Sequence, residues 1–199
     1  MIAGCLVKTI ITHVTSTGNT EFGDYLLKED SRSSYQFYKL ALQALEHRAV
    51  MRGAKPSEHF VLKCPEHLWF LDALLDTFPD ACIVWTHRDP VASVASYSSL
   101  ASLNYRMIYG HIDSERVGRH TQMRFKQGVQ RAMEVRKRVG EAQFFDVGFK
   151  ELVGDPMKVV QNTRKHFNIS VAAGEDDLVC YLPQGSVDVV TVCTPLFRL

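Results

Sequence analysis

Apolar residues change their spacing several times along the chain, and each change predicts a change of secondary structure. Short apolar runs favour strands, whereas apolar residues at three- and four-residue steps favour amphipathic helices. The runs predict strands over 1–14, 59–63, 81–86 and 143–147. The helical spacing predicts helices over 33–51, 66–78 and 156–167, and a mostly helical stretch over 104–140 that breaks near Gly110. Strands and helices in this alternating order predict a parallel sheet with crossover helices.

The strand at 81–86 is apolar throughout, which is typical of a strand buried on both faces. An Asp-Pro pair at 89–90 follows it and suits the start of a helix, because proline tolerates the first helical position. We expect Val91, Val94 and Ala95 to form the apolar side of that helix.

Composition places the chain among ordinary globular proteins. It has 199 residues, of which 46% are hydrophobic and 23% charged. These values exclude a disordered chain, a collagen-like repeat and a coiled coil. No apolar run approaches the roughly 20 residues of a membrane span, and the apolar start lacks the features of a signal peptide.

The five cysteines are scattered and odd in number. No C-x-x-C pair exists, so zinc-ribbon and thioredoxin-type sites are not expected, and no metal is predicted. Cys64 and Cys82 lie in apolar stretches, where we expect small buried side chains. This pattern fits a reducing compartment best and predicts a cytoplasmic protein.

The net charge of +1 conceals an uneven distribution. Residues 88–138 hold 10 basic and 4 acidic residues, a local excess of +6. Such an excess indicates either a surface that faces an anion or a solvated helix face, and the sequence leaves both open. A nucleic-acid binder is disfavoured, because the chain has no recognisable binding module and little overall basicity.

The strongest chemical signal follows the strand at 81–86. That strand delivers Arg88 to its carboxyl end, which is where open α/β sheets bind ligands. The helix that begins beside Arg88 offers free N–H groups to an anion, and Ser96 lies about two turns into it. Arginine suits a phosphate because its planar fork gives two parallel hydrogen bonds. The alternative is that Arg88 pairs with a structural carboxylate.

A second group of polar residues follows the strand at 59–63. Lys63 ends that strand at the edge where Arg88 is expected, and His67 follows at the start of the next helix. A lysine there is able to neutralise charge on a transferred group, and a histidine to act as general base. The alternative for His67 is a polar residue at a helix start with no catalytic role.

These motifs together resemble the sulfotransferase family that uses 3′-phosphoadenosine 5′-phosphosulfate, particularly its bacterial branch. The similar segments are L-K-C-P-E-H-L, F-P-D-A-C-I-V-W-T-H-R-D-P with Ser96, and F-K-E-L-V-G-D-P-M-K-V-V. They occur in the family's order across about residues 24–168. The resemblance implies an α/β fold with a partial P-loop-like parallel sheet flanked by helices.

The resemblance also implies roles for five residues. Arg88 and Ser96 match the pair that grips the 3′-phosphate of the nucleotide, and Lys63 matches the lysine beside the acceptor site. His67 matches the histidine of the K-x-P-x-H motif, the candidate base. Phe149 stands where the family usually has a tyrosine near the adenine, so its ring is able to stack without the hydroxyl contact.

The sequence departs from the family at both ends. The family's 5′-phosphosulfate loop is basic and follows a first strand, whereas Thr15–Thr20 has no lysine or arginine and lies too close to the next matching helix. The basic Gly-rich C-terminal loop is also missing. We therefore expect a divergent segment at 1–23, a sulfotransferase-like core at 24–170 and a divergent tail at 171–199. The tail's Ser186–Val192 resembles a strand with no clear partner.

Two functions remain open from sequence. The first is transfer of a sulfuryl group to an acceptor hydroxyl or amine, by a truncated chain that is weakly active or inactive alone. The second is a non-catalytic remnant that binds nucleotide or another protein. A P-loop phosphotransferase is excluded, because G-x-x-x-x-G-K-[ST] is absent. The acceptor, whether a small molecule, glycan or lipid, and the oligomeric state are not predicted.

Overall fold

The computed structural model describes residues 25, 27–57, 59–111, 113–169 and, for the backbone alone, 190–195. The strand predicted over 1–14, the loop at 15–20 and most of the C-terminal tail lie outside these residues. No helix in the described part of the chain combines the length and the apolar composition needed to cross a membrane.

The described chain forms helices that surround one sheet. The helices are α1 (Arg32–Met51), α2 (Leu71–Thr77), α3 (Pro90–Tyr109), α4 (Ser114–Val139), α5 (Phe149–Gly154) and α6 (Pro156–Phe167). Short 3₁₀ helices span Pro65–Trp69 and Glu141–Gln143. The strands are β1 (His59–Lys63), β2 (Cys82–His87), β3 (Phe144–Gly148) and β4 (Val190–Pro195). The predicted α/β class and the predicted order of its central elements are confirmed.

Capping residues fix several of these boundaries. The Asp155 carboxylate accepts a hydrogen bond from the Lys158 backbone N–H at 3.0 Å, as expected for the residue before α6. Asp89 caps α3 in the same way by accepting from the Ala92 N–H at 2.8 Å. Gly110 ends α3 with a φ of 73°, a conformation that favours glycine, which confirms the predicted break.

The prediction of one continuous helix over 66–78 is wrong in one respect. The segment forms a 3₁₀ turn, breaks at Phe70 and continues as α2. The break follows from a contact distant in sequence, since the Trp69 indole N–H donates to the Arg124 carbonyl of α4 at 3.0 Å. The predicted apolar face is nevertheless correct, and its members are all buried: Leu68, Leu71, Leu74, Leu75 and Phe78.

The sheet has the strand order β1-β4-β2-β3. β2 and β3 pair in parallel, whereas β4 pairs antiparallel with both β1 and β2. β1, β2 and β3 therefore run in one direction, as predicted, and β4 runs against them. The sequence did not predict this mixed sheet.

β4 holds the centre of the sheet between β1 and β2. The described strand is Val190–Pro195, and residues 186–189 of the predicted strand lie outside the described residues. β4 gives the C-terminal segment the partners that local sequence did not show.

The burial of β2 differs from the prediction. Ile83 and Trp85 are buried at 0% and 2% exposure, whereas Cys82, Val84 and Thr86 on the opposite face are half-buried. A continuous apolar run does not reveal how much of each face is covered, because tertiary neighbours decide that. For the same reason Cys64 is buried as expected, but Cys82 is only half-buried.

The inward face of α3 also differs from the prediction. Val91 is 77% exposed and Ala95 is exposed, so neither belongs to the core. The buried positions are Ser93 and Ala101, while Tyr97 packs its ring against Phe125 of α4 with centroids 5.4 Å apart. These three lie at four-residue steps, so α3 turns a face of small and aromatic residues toward α4.

Candidate functional site

Three predicted site residues lie where three strands end. Lys63 is the last residue of β1, Arg88 directly follows β2, and Phe149 directly follows β3. All three side chains are half-buried. Because β1, β2 and β3 run in one direction, their carboxyl ends share one edge of the sheet, where α/β folds bind ligands.

Arg88 and Phe149 are in direct contact at this edge. The parallel register pairs His87 with Gly148, so the next residue of each strand end lies beside the other. The Arg88 guanidinium lies over the Phe149 ring, 4.6 Å from its centroid. This cation–π contact orients the guanidinium. The Phe149 ring therefore supports Arg88, the residue predicted to bind the phosphate. The sequence did not suggest this role for Phe149.

Serines on α3 occupy two different environments. Ser96 is exposed, seven residues after the capping Asp89 and so on the same side of the helix. The hydrogen bonds of the described residues include none between Ser96 and Arg88. Ser93, in contrast, is 0% exposed, and its Oγ has no hydrogen-bond partner among the described residues.

His67 lies in the core and not in an open cleft. Its side chain is 1% exposed, and its Nδ1 is 2.8 Å from the hydroxyl of Tyr35 on α1. Its other ring nitrogen, Nε2, has no hydrogen-bond partner within the described ranges. Burial lowers the pKa of His67 to about 4, so the imidazole is neutral at pH 7.

Tyr35 is a site residue that sequence reasoning missed. The helical spacing marks it only as an apolar position, and it lies 32 residues before its partner, His67. Its side chain is 0% exposed, and burial raises its pKa well above 10. The hydroxyl therefore keeps its proton at any pH at which the protein is studied.

Glu66 and Cys64 form a second buried polar pair beside His67. Their side chains are 4% and 2% exposed, and the Cys64 thiol donates to Glu66 Oε2 at 2.6 Å. The pair places a carboxylate in a buried polar cluster at the 3₁₀ turn.

Lys63 and Arg88 stand on opposite sides of β4. The register aligns Lys63 with Thr191 of β4, and Thr191 with Val84 of β2. Two strand spacings, roughly 10 Å, therefore separate β1 from β2, and Arg88 lies four residues beyond Val84, which staggers the two strand ends by roughly 13 Å along the sheet. The edge holds two half-sites, one at β1 with the following turn and one at β2 with β3.

Several cations of the basic stretch are engaged in structural contacts. Arg136 is bonded to Asp146 and Glu141, Arg119 pairs with Glu115, and Arg131 donates to the Leu27 carbonyl at 2.7 Å. For these three arginines the structure supports the solvated or structural interpretation of the charge excess. They do not form a surface that faces an anion.

A cavity of about 270 Å³ lies between β3, α5 and α6. Three of its lining residues are acidic and one is basic: Asp146, Glu151, Asp155 and Lys158. This excess of carboxylates disfavours a phosphate, and none of the predicted site residues lines the cavity. Within the described ranges no group of three or more His, Cys, Asp or Glu side chains is placed to hold a metal ion.

Known proteins with the same sequence pattern and fold are sulfotransferases. A family model described as "Sulfotransferase family" matches residues 8–173. The omega-hydroxy-beta-dihydromenaquinone-9 sulfotransferase Stf3 of Mycobacterium bovis is 23% identical to the chain, over 82% of the chain and 40% of that protein. The curated relatives are thus more than twice as long as the part that the chain matches.

Two solved sulfotransferase structures have a fold similar to that of this chain. Sulfotransferase STF9 from Mycobacterium avium superimposes with a TM-score of 0.69 at 27% identity, over 83% of this chain and 42% of that one. Sulfotransferase STF1 from Mycobacterium tuberculosis gives a TM-score of 0.65, also at 27% identity, over 80% of this chain and 42% of that one. The chain belongs to the sulfotransferase family.

Proposed function

We propose that this chain carries part of a sulfuryl-transfer site that uses 3′-phosphoadenosine 5′-phosphosulfate. The observation that supports the proposal is the common edge of Lys63, Arg88 and Phe149 in a protein of this family. The acceptor is a hydroxyl or an amine. Its bond to sulfur forms as the bond from sulfur to the bridging phosphate oxygen breaks, and its proton is released.

The residues present fit the nucleotide part of this donor. The Arg88 guanidinium, oriented by Phe149, offers paired N–H groups to the 3′-phosphate, and the Ser96 hydroxyl is exposed for a further hydrogen bond. Phe149 is half-buried at the same edge, and its ring is proposed to stack on the adenine. The bound nucleotide supplies the sulfuryl group, and these residues hold and orient it.

The β1 half-site is proposed to serve the transfer itself. Lys63 brings positive charge to the sheet edge, which favours the charge that develops on the leaving oxygen. His67 is the candidate for handling a proton, and only Nε2 is open for this because Tyr35 occupies Nδ1. We expect low turnover by this chain alone, because its sequence has no basic loop after a first strand to hold the 5′-phosphosulfate.

The acceptor class is proposed from a relative. Stf3 of Mycobacterium bovis is named for a hydroxylated menaquinone, a lipid-like alcohol. A hydroxyl on an apolar molecule is therefore the first acceptor to offer this chain in a transfer assay.

Calorimetric titration with 3′-phosphoadenosine 5′-phosphate tests the nucleotide site. We expect Arg88→Ala to weaken binding at least tenfold, since a charge-assisted hydrogen bond contributes about 1.5–3 kcal/mol. Arg119→Ala is the matched control, because that arginine pairs with Glu115 on the surface of α4. Equal affinity of parent and Arg88→Ala, or no binding by the parent, contradicts the proposal.

A second function, nucleotide binding without catalysis, is supported by the sequence, because Thr15–Thr20 has no lysine or arginine to hold the 5′-phosphosulfate. An assay with sulfur-labelled donor separates the two functions. Nucleotide binding with no labelled product, even at high protein concentration, favours the non-catalytic remnant.

A further inference from the structure

The Tyr35–His67 pair leaves one buried nitrogen without a partner. The Tyr35 hydroxyl and His67 Nδ1 are 2.8 Å apart, and both side chains are almost wholly buried. His67 Nε2 makes no hydrogen bond within the described part of the chain. Leaving a buried polar atom unpaired costs about 1–3 kcal/mol, so its persistence calls for a physical reason.

The position of two protons decides what Nε2 is able to do. In the first arrangement the Tyr35 O–H donates to Nδ1, and Nε2 carries the imidazole proton. In the second, Nδ1–H donates to the Tyr35 oxygen, and Nε2 presents a lone pair. The first leaves only the Nε2–H unpaired. The second leaves both the Tyr35 O–H and Nε2 unpaired, because the hydroxyl has no other partner among the described residues.

We propose that Tyr35 is a positioning residue that holds His67 in the tautomer with hydrogen on Nε2, and that Nε2–H donates a hydrogen bond to a sulfuryl oxygen of the bound donor. This inference rests on the proposed function and deepens it. This changes one role in the proposed function: His67, considered there for handling the proton, instead stabilises negative charge that develops during transfer. The proton of the acceptor leaves to water.

The surroundings of the pair agree with this arrangement. Tyr38 of α1, Cys64 and Glu66 of the turn, and Asp72 of α2 face the Tyr35 hydroxyl, and each disfavours a negative charge on it. The Glu66 carboxylate accepts a hydrogen bond from the Cys64 thiol. The Tyr35 hydroxyl therefore remains a donor, and burial keeps His67 neutral because its pKa is lowered to about 4.

Nitrogen-15 NMR of the histidine side chains in the ligand-free chain tests the tautomer. We expect Nε2 of His67 to be protonated and Nδ1 to be an acceptor, and Tyr35→Phe to yield a mixture of tautomers. Tyr38→Phe is the matched control, since Tyr38 is buried on the same helix and has no contact with Nδ1. A proton on Nδ1 in the parent chain, or an unchanged tautomer in Tyr35→Phe, overturns the inference.

Two substitutions of His67 test the donor role. Glutamine places an amide N–H near the position of Nε2, whereas asparagine reaches only the position of Nδ1. We expect His67→Gln to retain affinity for 3′-phosphoadenosine 5′-phosphosulfate within about threefold, and His67→Asn to lose about tenfold, a change of about 1.4 kcal/mol. Both variants should bind 3′-phosphoadenosine 5′-phosphate, which lacks the sulfuryl group, as the parent does.

The outcomes separate the two proposals. Equal loss of sulfuryl-donor affinity in both variants, or no loss in either, overturns the donor role even if the tautomer is as expected. No binding of either nucleotide by the parent overturns the proposed function, and with it the assigned ligand. The NMR result still decides whether Tyr35 sets the tautomer of His67.

Discussion

Asp146 on β3 joins two neighbouring elements through its carboxylate. It accepts two hydrogen bonds from Arg136 of α4, at 2.8 and 2.7 Å, and its Oδ1 lies 2.5 Å from Nε2 of His87 on β2. Arg136 also covers the ring of Phe144, 4.9 Å from its centroid. The hydrogen bonds from Arg136 are the main reason that the pKa of Asp146 is lowered to about 2.

The lowered pKa of Asp146 predicts a loss of stability in acid. The Asp146 carboxyl is protonated near pH 3.8 in the unfolded chain and near pH 2 in the folded chain. The stabilisation of the folded state by its ionised form is therefore complete above pH 3.8 and is lost as the pH falls from 3.8 to 2. We expect Asp146→Asn to lower the free energy of unfolding at pH 7 and to flatten its pH dependence between pH 4 and 2. Denaturant titrations across that range are the measurement.

Asp155→Asn is a suitable control for Asp146→Asn. Asp155 is a carboxylate of the same region that caps α6, and asparagine preserves a cap. It should shift the unfolding curve only slightly. An Asp146→Asn curve parallel to that of the parent in acid would show that the Arg136 contact contributes nothing there.

Among single residues, the sequence identified those whose position follows from a strand end. Lys63 and Arg88 lie at strand ends as predicted, because the boundary of each strand is local. Tyr35 was missed as a polar site residue, because nothing near it in sequence shows which atoms it meets after folding.

The 3₁₀ turn that bears His67 is held in place by α4. Trp69 lies across Gly128, where an added Cβ would come within 2.7 Å of the indole. The indole N–H also donates to the Arg124 carbonyl one turn earlier on α4. Glycine at position 128 is thus required by close approach, although a helix interior generally disfavours it.

Gly128→Ala should displace Trp69 and the turn that carries His67. We expect a loss of about 1–3 kcal/mol of stability from overpacking, despite the better helix propensity of alanine. Gly118→Ala on the same helix has open space around its Cβ and should instead stabilise the chain by about 0.5–1 kcal/mol. Urea unfolding of the two variants measures both effects, and a stabilised Gly128→Ala would show that Trp69 moves freely.

At the scale of elements, the pattern predicted helix faces better where they were strongly apolar. The leucines of α2 are buried as expected, whereas α3 turns Ser93 inward and leaves Val91 exposed. A helix with small and apolar residues on several sides does not specify its inner face. Here the packing of Tyr97 on Phe125 decides it.

β4 lies between β1 and β2 and connects the two sides of the sheet. β1 and β2 do not pair with each other, and both pair with β4. Within the sheet, β4 therefore joins the half-site at Lys63 to the half-site at Arg88. The position of this strand is a feature of the whole molecule on which the site depends.

The register of β4 is open to a direct chemical test. It places Cys193 opposite Cys82 of β2, and directly opposed residues of antiparallel strands have Cα atoms about 4.5–5.5 Å apart. That spacing suits a disulfide. We expect mild oxidation with diamide at pH 8 or above to link these two cysteines, since burial raises the pKa of the Cys82 thiol.

Peptide mapping by mass spectrometry under non-reducing conditions identifies the linked pair. Cys82→Ser should abolish the link, and Cys64→Ser should leave it intact because Cys64 is buried at the end of β1. A link from Cys193 to another cysteine, or none under conditions that oxidise free thiols, contradicts this register.

The sequence by itself determined the order of the central elements, the direction of β1, β2 and β3 and the residues at their ends. These features depend on periodicity, capping and strand boundaries, which are local. Only the tertiary structure decided that β4 lies antiparallel at the centre of the sheet, that Trp69 packs on Gly128 and that Tyr35 meets His67. These contacts join segments far apart in the chain, so they depend on how whole faces pack and not on the residues nearby.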